Sequence, residues 1–173
     1  MARRGVRDDA YGELPGMTVR IGVTIACTLA MLAGTAGVGA QPLKKPPYWA
    51  SIAKNAAVMR VGPAKQFPAN WVYLRRDLPV RVIETYPDWR KVQDSDGTTG
   101  WFHVRLLKDD PTGIVKGAPA ELHDKPTASS RLLYRLAPGV VGKLSGCASG
   151  WCAFDASGKT GYVLASSLWG ATE

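Results

Sequence analysis

WVYLRRDLPVRVIETYPDWRKVQDSDGTTGW, residues 71–101, decides the fold, because short apolar runs alternate in it with turn signals at the spacing of an antiparallel meander. In Leu78-Pro79-Val80-Arg81-Val82 the apolar residues recur with period two, as in a strand with one face on a core and the other in water. Tyr86-Pro87-Asp88 breaks the run, since proline lacks a donor and aspartate favours turns. A second strand follows at Trp89–Gln93. Asp94-Ser95-Asp96-Gly97 is the strongest turn signal, with Gly97 free to adopt positive φ, and a third strand restarts over Thr99–His103. Successive side chains alternate across a strand, so if Val92 faces inward then Arg90 does too, while Trp89 and Lys91 face out. An unpaired buried arginine is costly, and a bulge near Arg90 is therefore expected. Phe102 suits the interior, and Trp101, with its polar edge, a half-exposed site.

Upstream, Ala56–Arg60 reads as the opening strand, and residues 61–74 form a long irregular excursion punctuated by Gly62, Pro63 and Pro68. Loops on a rigid scaffold often carry binding. Phe67, Trp71 and Tyr73 on this arm either close the end of a small barrel or present an aromatic surface.

The pattern returns about 62 positions later, which means tandem domains. Val140–Leu144 matches the Leu78 strand, Gly150-Trp151-Cys152-Ala153-Phe154 the Trp89 strand, Gly161-Tyr162-Val163 the Gly100-Trp101-Phe102 run, and Leu168 matches Leu107. The expected organisation is an all-β chain: a leader over residues 1–40, a Pro-rich lead-in over 41–54, a first small barrel over 55–107, a linker over 108–117 and a second barrel over 118–170. Tyr48 and Trp49 in the lead-in either tuck against the first barrel or start its first strand. Each barrel holds about 50 residues, a size at which cores are marginal, so a staple and packing between the two are expected. The polar arm of the second repeat, Thr127–Arg131, shows no counterpart of Trp71.

The order of Arg60-Val61-Gly62-Pro63, Trp71-Val72-Tyr73, Leu78-Pro79-Val80, a Trp opening the next strand, an Asp/Gly turn and Gly100-Trp101-Phe102 closing near Leu106-Leu107 resembles the bacterial SH3-like domains, in particular the alphaproteobacterial exported type. The resemblance covers Asn55 to Gly170 and implies two tandem SH3-like barrels. It also implies an envelope binding module that holds peptidoglycan stem peptides, glycan or a partner protein.

The chain is basic, with a formal net charge of +8 and a pI near 9.6. Arg3, Arg4, Arg7 and Arg20 precede the uncharged apolar run Ile21–Ala33, and Val38-Gly39-Ala40 places small residues where a signal peptidase cuts. This is the pattern of a secretory leader cleaved after Ala40, with translation starting at Met1 or at Met17. An uncleaved anchor over Ile21–Ala40 is the alternative, being about the ~20 residues a membrane span needs. A lipoprotein centred on Cys27 fits poorly, for lack of leucine three positions upstream. Export leaves Cys147 and Cys152 in an oxidising compartment. Four residues separate them at the hairpin turn of the second repeat, and the reading is a structural staple rather than free thiols or a redox pair with His123. Alternation from Leu144 points Cys147 outward while alternation back from Phe154 points Cys152 inward, so pairing demands a bulge near Gly146 or Gly150.

No catalytic pattern stands out. His103 and His123 lie on different repeats without ligand-spaced partners, which argues against a zinc site. Asp94 and Asp96 share one turn, the place of turn chemistry rather than glycan hydrolysis. No serine triad order or phosphate-cradling glycine loop occurs, so neither an enzyme nor a cofactor is expected. Nucleic acid is disfavoured as a partner, because the Lys and Arg are spread out and the chain is exported. The expected ligand surface comprises Trp71, Tyr73, Trp89, Trp101, Arg75, Arg76 and Lys91. The competing reading is a structural subunit of an envelope assembly, in which the aromatics are buried between the barrels and no small ligand binds.

Overall fold

The computed structural model describes residues 44–171. The expected leader, with Met17 and Cys27, and the cleavage point after Ala40 lie outside the described residues. Two seven-stranded antiparallel sheets follow one plan. The first contains β1 (Tyr48–Ile52), β2 (Ala57–Arg60), β3 (Ala69–Tyr73), β4 (Pro79–Tyr86), β5 (Trp89–Gln93), β6 (Thr99–His103), a 3-10 turn at Val104–Leu106 and β7 (Leu107–Lys108). The second contains β8 (Thr112–Val115), β9 (Ala120–His123), β10 (Leu132–Leu136), β11 (Val141–Ala148), β12 (Trp151–Ala156), β13 (Lys159–Leu164), a 3-10 turn at Ala165–Ser167 and β14 (Leu168–Trp169). The strand orders β3-β2-β6-β5-β4-β1-β7 and β10-β9-β13-β12-β11-β8-β14 correspond strand for strand. The chain is a tandem of all-β barrels.

Periodicity located β5 and β6 at their observed bounds, and the first sheet begins one strand before the expected opening at Ala56–Arg60. In β1, Ala50, Ser51 and Ile52 are buried, and the strand pairs with β4 and β7. Pro46 and Pro47 precede it, where a missing N–H costs no ladder bond. The segment read as a linker likewise supplies β8, which lies between β11 and β14.

The first core gathers Ile52, Met59, Val80, Val82, Val92 and Phe102, and the second gathers Leu122, Leu144, Cys152, Phe154 and Val163. The glycine that opens each third-strand motif is required by close approach. A Cβ on Gly161 would stand 2.5 Å from the carbonyl oxygen of His123 on β9, and one on Gly100 would run into the Met59 side chain of β2.

Both long strands carry one extra residue. Val82 faces Val92 and Glu84 faces Lys91, so Ile83 is the bulge; Leu144 faces Phe154 and Gly146 faces Ala153, so Ser145 is. Beyond the bulge Cys147 lies directly opposite Cys152, and the two are bridged. The bulge resolves the conflict of phase between the two cysteines. In the first barrel it lies across from Lys91 rather than on the strand of Arg90. Arg90 itself stays buried, 6% exposed. Its guanidinium donates to the carbonyls of Tyr86 and Trp89 at 2.9 and 2.8 Å and to the Tyr48 hydroxyl at 3.1 Å, which is how a buried arginine is tolerated without a bulge of its own.

Removal of the staple isolates its contribution. Closing so small a loop is worth roughly 2 kcal/mol in the chain-entropy account. Replacing both cysteines by serine is expected to lower the hydrogen-exchange protection of the β11–β12 amides by about that amount and to leave β4–β5 protection unchanged. Equal protection in the variant would remove the staple from the stability of this barrel.

Candidate functional site

The outward face of β2, β6 and β5 brings together three of the seven expected ligand residues, Trp89, Trp101 and Lys91. Val92, Phe102 and Met59 point into the core, so alternation sends Lys91 and Trp89 of β5, Trp101 and His103 of β6, and Arg60 and Val58 of β2 to the other side. The register agrees: Lys91 and Arg60 flank Trp101 on neighbouring strands, and Trp89 stands opposite His103. Trp89 and Trp101 stand outside the core cluster, yet each is only 8% exposed. That corrects the expectation of exposed or half-exposed rings. Long side chains lie over them: the Lys91 ammonium is 6.0 Å from the Trp101 ring centre, and His103 meets Trp89 edge to face at 5.3 Å.

Beside Trp89 opens a cleft of about 270 Å3, lined by Val58, Arg60, Lys65, Trp89, His103, Arg105 and Leu106. Arg60 donates to the Phe67 carbonyl at 2.7 Å and so pins the arm over residues 61–68, while the Phe67 ring covers Gly62, which has no room for a side chain. The Nδ1 of His103 accepts the N–H of Arg105 and caps the 3-10 turn.

The remaining candidates do not join this face. Trp71 is exposed on the edge strand β3, opposite Met59. Tyr73 packs edge to face on Phe102 at 5.5 Å and donates its hydroxyl to Asp94 at 2.6 Å. Asp94 also accepts the N–H groups of Asp96 and Thr98, as turn chemistry requires. Arg75 donates to the Gly139 carbonyl of the second barrel, and Arg76 pairs with Asp77. On the face itself, Lys91 pairs with Glu84 at 3.4 Å. Sequence reasoning missed Lys65 and Arg105 and used Arg60 only as part of a motif. A signal for them was present, since both flank the arm and the closing turn that meet over Trp89.

The second barrel repeats the geometry with other side chains. His123 takes the place of Arg60, with its Nδ1 3.2 Å from the Ser130 carbonyl, and Trp151 meets His123 edge to face at 5.5 Å. Tyr134, opposite Leu122, stands where Trp71 stands opposite Met59, so the aromatic on the arm does have a counterpart. Ala128 and Ser166 occupy the positions of Lys65 and Arg105.

Between the barrels, Trp49 and Trp169 meet edge to face at 5.0 Å. A wider cleft of about 730 Å3 there is lined by Tyr48, Trp49, Arg81, Asp109 and Cys147 among others, and by none of the seven ligand candidates. Lys108 bonds both Asp110 and Asp77 at 2.7 Å, and these bonds raise its pKa and lower that of Asp110. Among the described residues there is no cluster of three or more His, Cys, Asp or Glu able to hold a metal ion, and no helix long and apolar enough to cross a membrane.

A family model described as bacterial SH3 domain matches residues 53–109 and again 116–170. No curated protein matches. Solved structures similar to the chain include NlpC2 from Trichomonas vaginalis, at 11% identity over 73% of this chain and 49% of that one, with a TM-score of 0.33. An NlpC/P60 family protein from Bacillus cereus ATCC 10987 is 14% identical over 70% of this chain and 56% of that one, also at 0.33. The chain thus spans about half the length of the solved structures it matches.

Burial, then the bond to Asp94, push the Tyr73 hydroxyl well above the ordinary tyrosine range. A raised folded pKa stabilises fully below the unfolded value near 10 and is lost as pH rises beyond it. Tyr73→Phe is expected to cost roughly 1.5 kcal/mol at neutral pH, with the gap to the parent shrinking above about pH 10. Denaturant titrations across pH 7–11 check this, and a gap that is absent or independent of pH would contradict it.

Proposed function

This chain belongs to the bacterial SH3 domain family, matched over both barrels, and on that premise we propose that it is an exported, non-enzymatic binding module of the cell envelope. Its first barrel holds a peptidoglycan peptide on the outward face of β2, β6 and β5. One observation carries this reading: Trp89 and Trp101 stand outside the first core cluster, Trp101 under the Lys91 ammonium and Trp89 beside a cleft walled by Arg60, Lys65 and Arg105. A core has no need of tryptophan on its outer side, whereas a recognition face uses amphipathic rings with cations beside them. Trp71, Tyr73, Arg75 and Arg76 fall to other duties in this reading, and the ligand contacts pass to Trp89, Trp101, Lys91, Lys65 and Arg105. The leader pattern and the stapled cysteines support export to the periplasm.

A second reading rests on Trp49 and Trp169. Their edge-to-face contact and the Arg75 bond to Gly139 tie one barrel to the other, as a structural subunit of an envelope assembly requires. In that case no small ligand binds, and the outward face of β5 and β6 is inert.

Retention on purified peptidoglycan separates the two. About seven net positive charges remain from Gln41 onward, and exposed charges are screened beyond ~8–10 Å at physiological salt. The parent chain is expected to be retained at low salt and partly released at high salt. Glutamate at both position 65 and position 105 (K65E/R105E) is expected to weaken retention at least fivefold with unchanged melting. Retention equal in parent and variant, or absent in both, would count against the first barrel as the binding face.

A further inference from the structure

Resting on that reading of the first barrel, we propose that the cleft beside Trp89 takes the end of a peptide: a free terminal carboxylate between Lys65 and Arg105, with a small apolar last residue against Trp89, Val58 and Leu106. The charge inventory is the starting point. No carboxylate lines the cleft. Three other cations of this barrel are neutralised where they stand: Arg76 by Asp77, Lys91 by Glu84, and Lys108 by Asp77 and Asp110. Among the described residues Lys65 and Arg105 have no ion-pair partner, and they reach the same cleft from different elements, the arm and the 3-10 turn.

Both are held in place by their neighbours. Arg60 spends its guanidinium on the Phe67 carbonyl and fixes the arm that carries Lys65, so it is a positioning residue rather than a ligand contact. His103 does the same for Arg105 by accepting its N–H. An ammonium and a guanidinium at the mouth of an apolar recess match a carboxylate, which accepts charge-assisted bonds from each.

Size and lining narrow the class further. At about 270 Å3 the cleft falls below the ~300–1,000 Å3 of sites that enclose drug-sized molecules. It suits one end group and not the body of a chain. Its apolar wall of Val58, Leu106 and the Trp89 ring favours an anion that carries a small aliphatic side chain over a bare inorganic anion. The second barrel is the control within the same molecule, with Ala128 and Ser166 at the two cationic positions and His123 as the pin.

Calorimetric titration of the full chain tests this with acetyl-Ala-Ala-Ala as the free carboxylate and the same peptide as its carboxamide. The carboxylate form is expected to bind at least tenfold more tightly. K65E/R105E is expected to abolish that preference, whereas Lys125→Glu, a single charge reversal on the arm of the second barrel, leaves it intact, as Lys65→Glu alone does not. Millimolar inorganic phosphate is expected to compete weakly. Equal binding of the two peptides, no binding of either, a preference that survives K65E/R105E, or displacement by phosphate as effective as by peptide would each overturn the assignment. Should the peptides fail while the parent chain is retained on peptidoglycan and K65E/R105E is not, the end-group assignment falls and the first barrel remains the binding face. Loss of that retention difference as well removes both.

Discussion

A single extra residue in each long strand governs how this chain arranges its side chains. Ile83 in β4 and Ser145 in β11 each shift the strand by one position relative to its partner. Because side chains alternate, a shift of one exchanges the faces of everything that follows. Without it Cys147 would point away from Cys152, and Glu84 would lie across from buried Arg90 instead of pairing with Lys91 on the outer face. Bulges leave a residue unpaired and deepen the local twist, and here the return is a hairpin end that can be locked.

The two barrels lock that end differently. Arg90 and Cys152 hold the same place in their strands, opposite Thr85 and Cys147 respectively. One barrel fills the place with a guanidinium bonded to backbone carbonyls and to Tyr48, the other with a disulfide. The same economy holds at the arm, pinned by Arg60 to Phe67 in one barrel and by His123 to Ser130 in the other. A shared backbone plan with exchanged side chains puts Lys65 and Arg105 at a cleft of the first barrel where the second carries Ala128 and Ser166, while Trp49 and Trp169 serve the contact between them.

Alternation and turn chemistry made β5, β6 and their tandem repetition legible from residues alone, because Asp94-Ser95-Asp96-Gly97 divides the two strands sharply and the same order of motifs returns about 62 positions later. The bulge before Cys147 was legible for a different reason: two phase counts disagreed, and only an inserted residue reconciles them. Parity also put Trp89 and Lys91 on the outer side. Parity says nothing of coverage, however, and the low exposure of Trp89 and Trp101 goes with neighbours on their own face, the Lys91 ammonium over the Trp101 ring and the His103 ring against Trp89. β1 was obscured by the prolines before it. Arg75 looked like a ligand contact because nothing in its neighbourhood reveals that Gly139, 64 positions on, supplies its acceptor.

In the proposed reading one barrel binds the ligand and the other does not. Amide shift mapping of the isotopically labelled chain with soluble peptidoglycan fragments tests it most directly. Perturbations are expected on residues 60–67, Trp89–Lys91 and Trp101–Leu106, with the matching positions around His123, Trp151 and Ser166 unmoved. Perturbations centred on the second barrel, or on the cleft by Trp49 and Cys147, would contradict it.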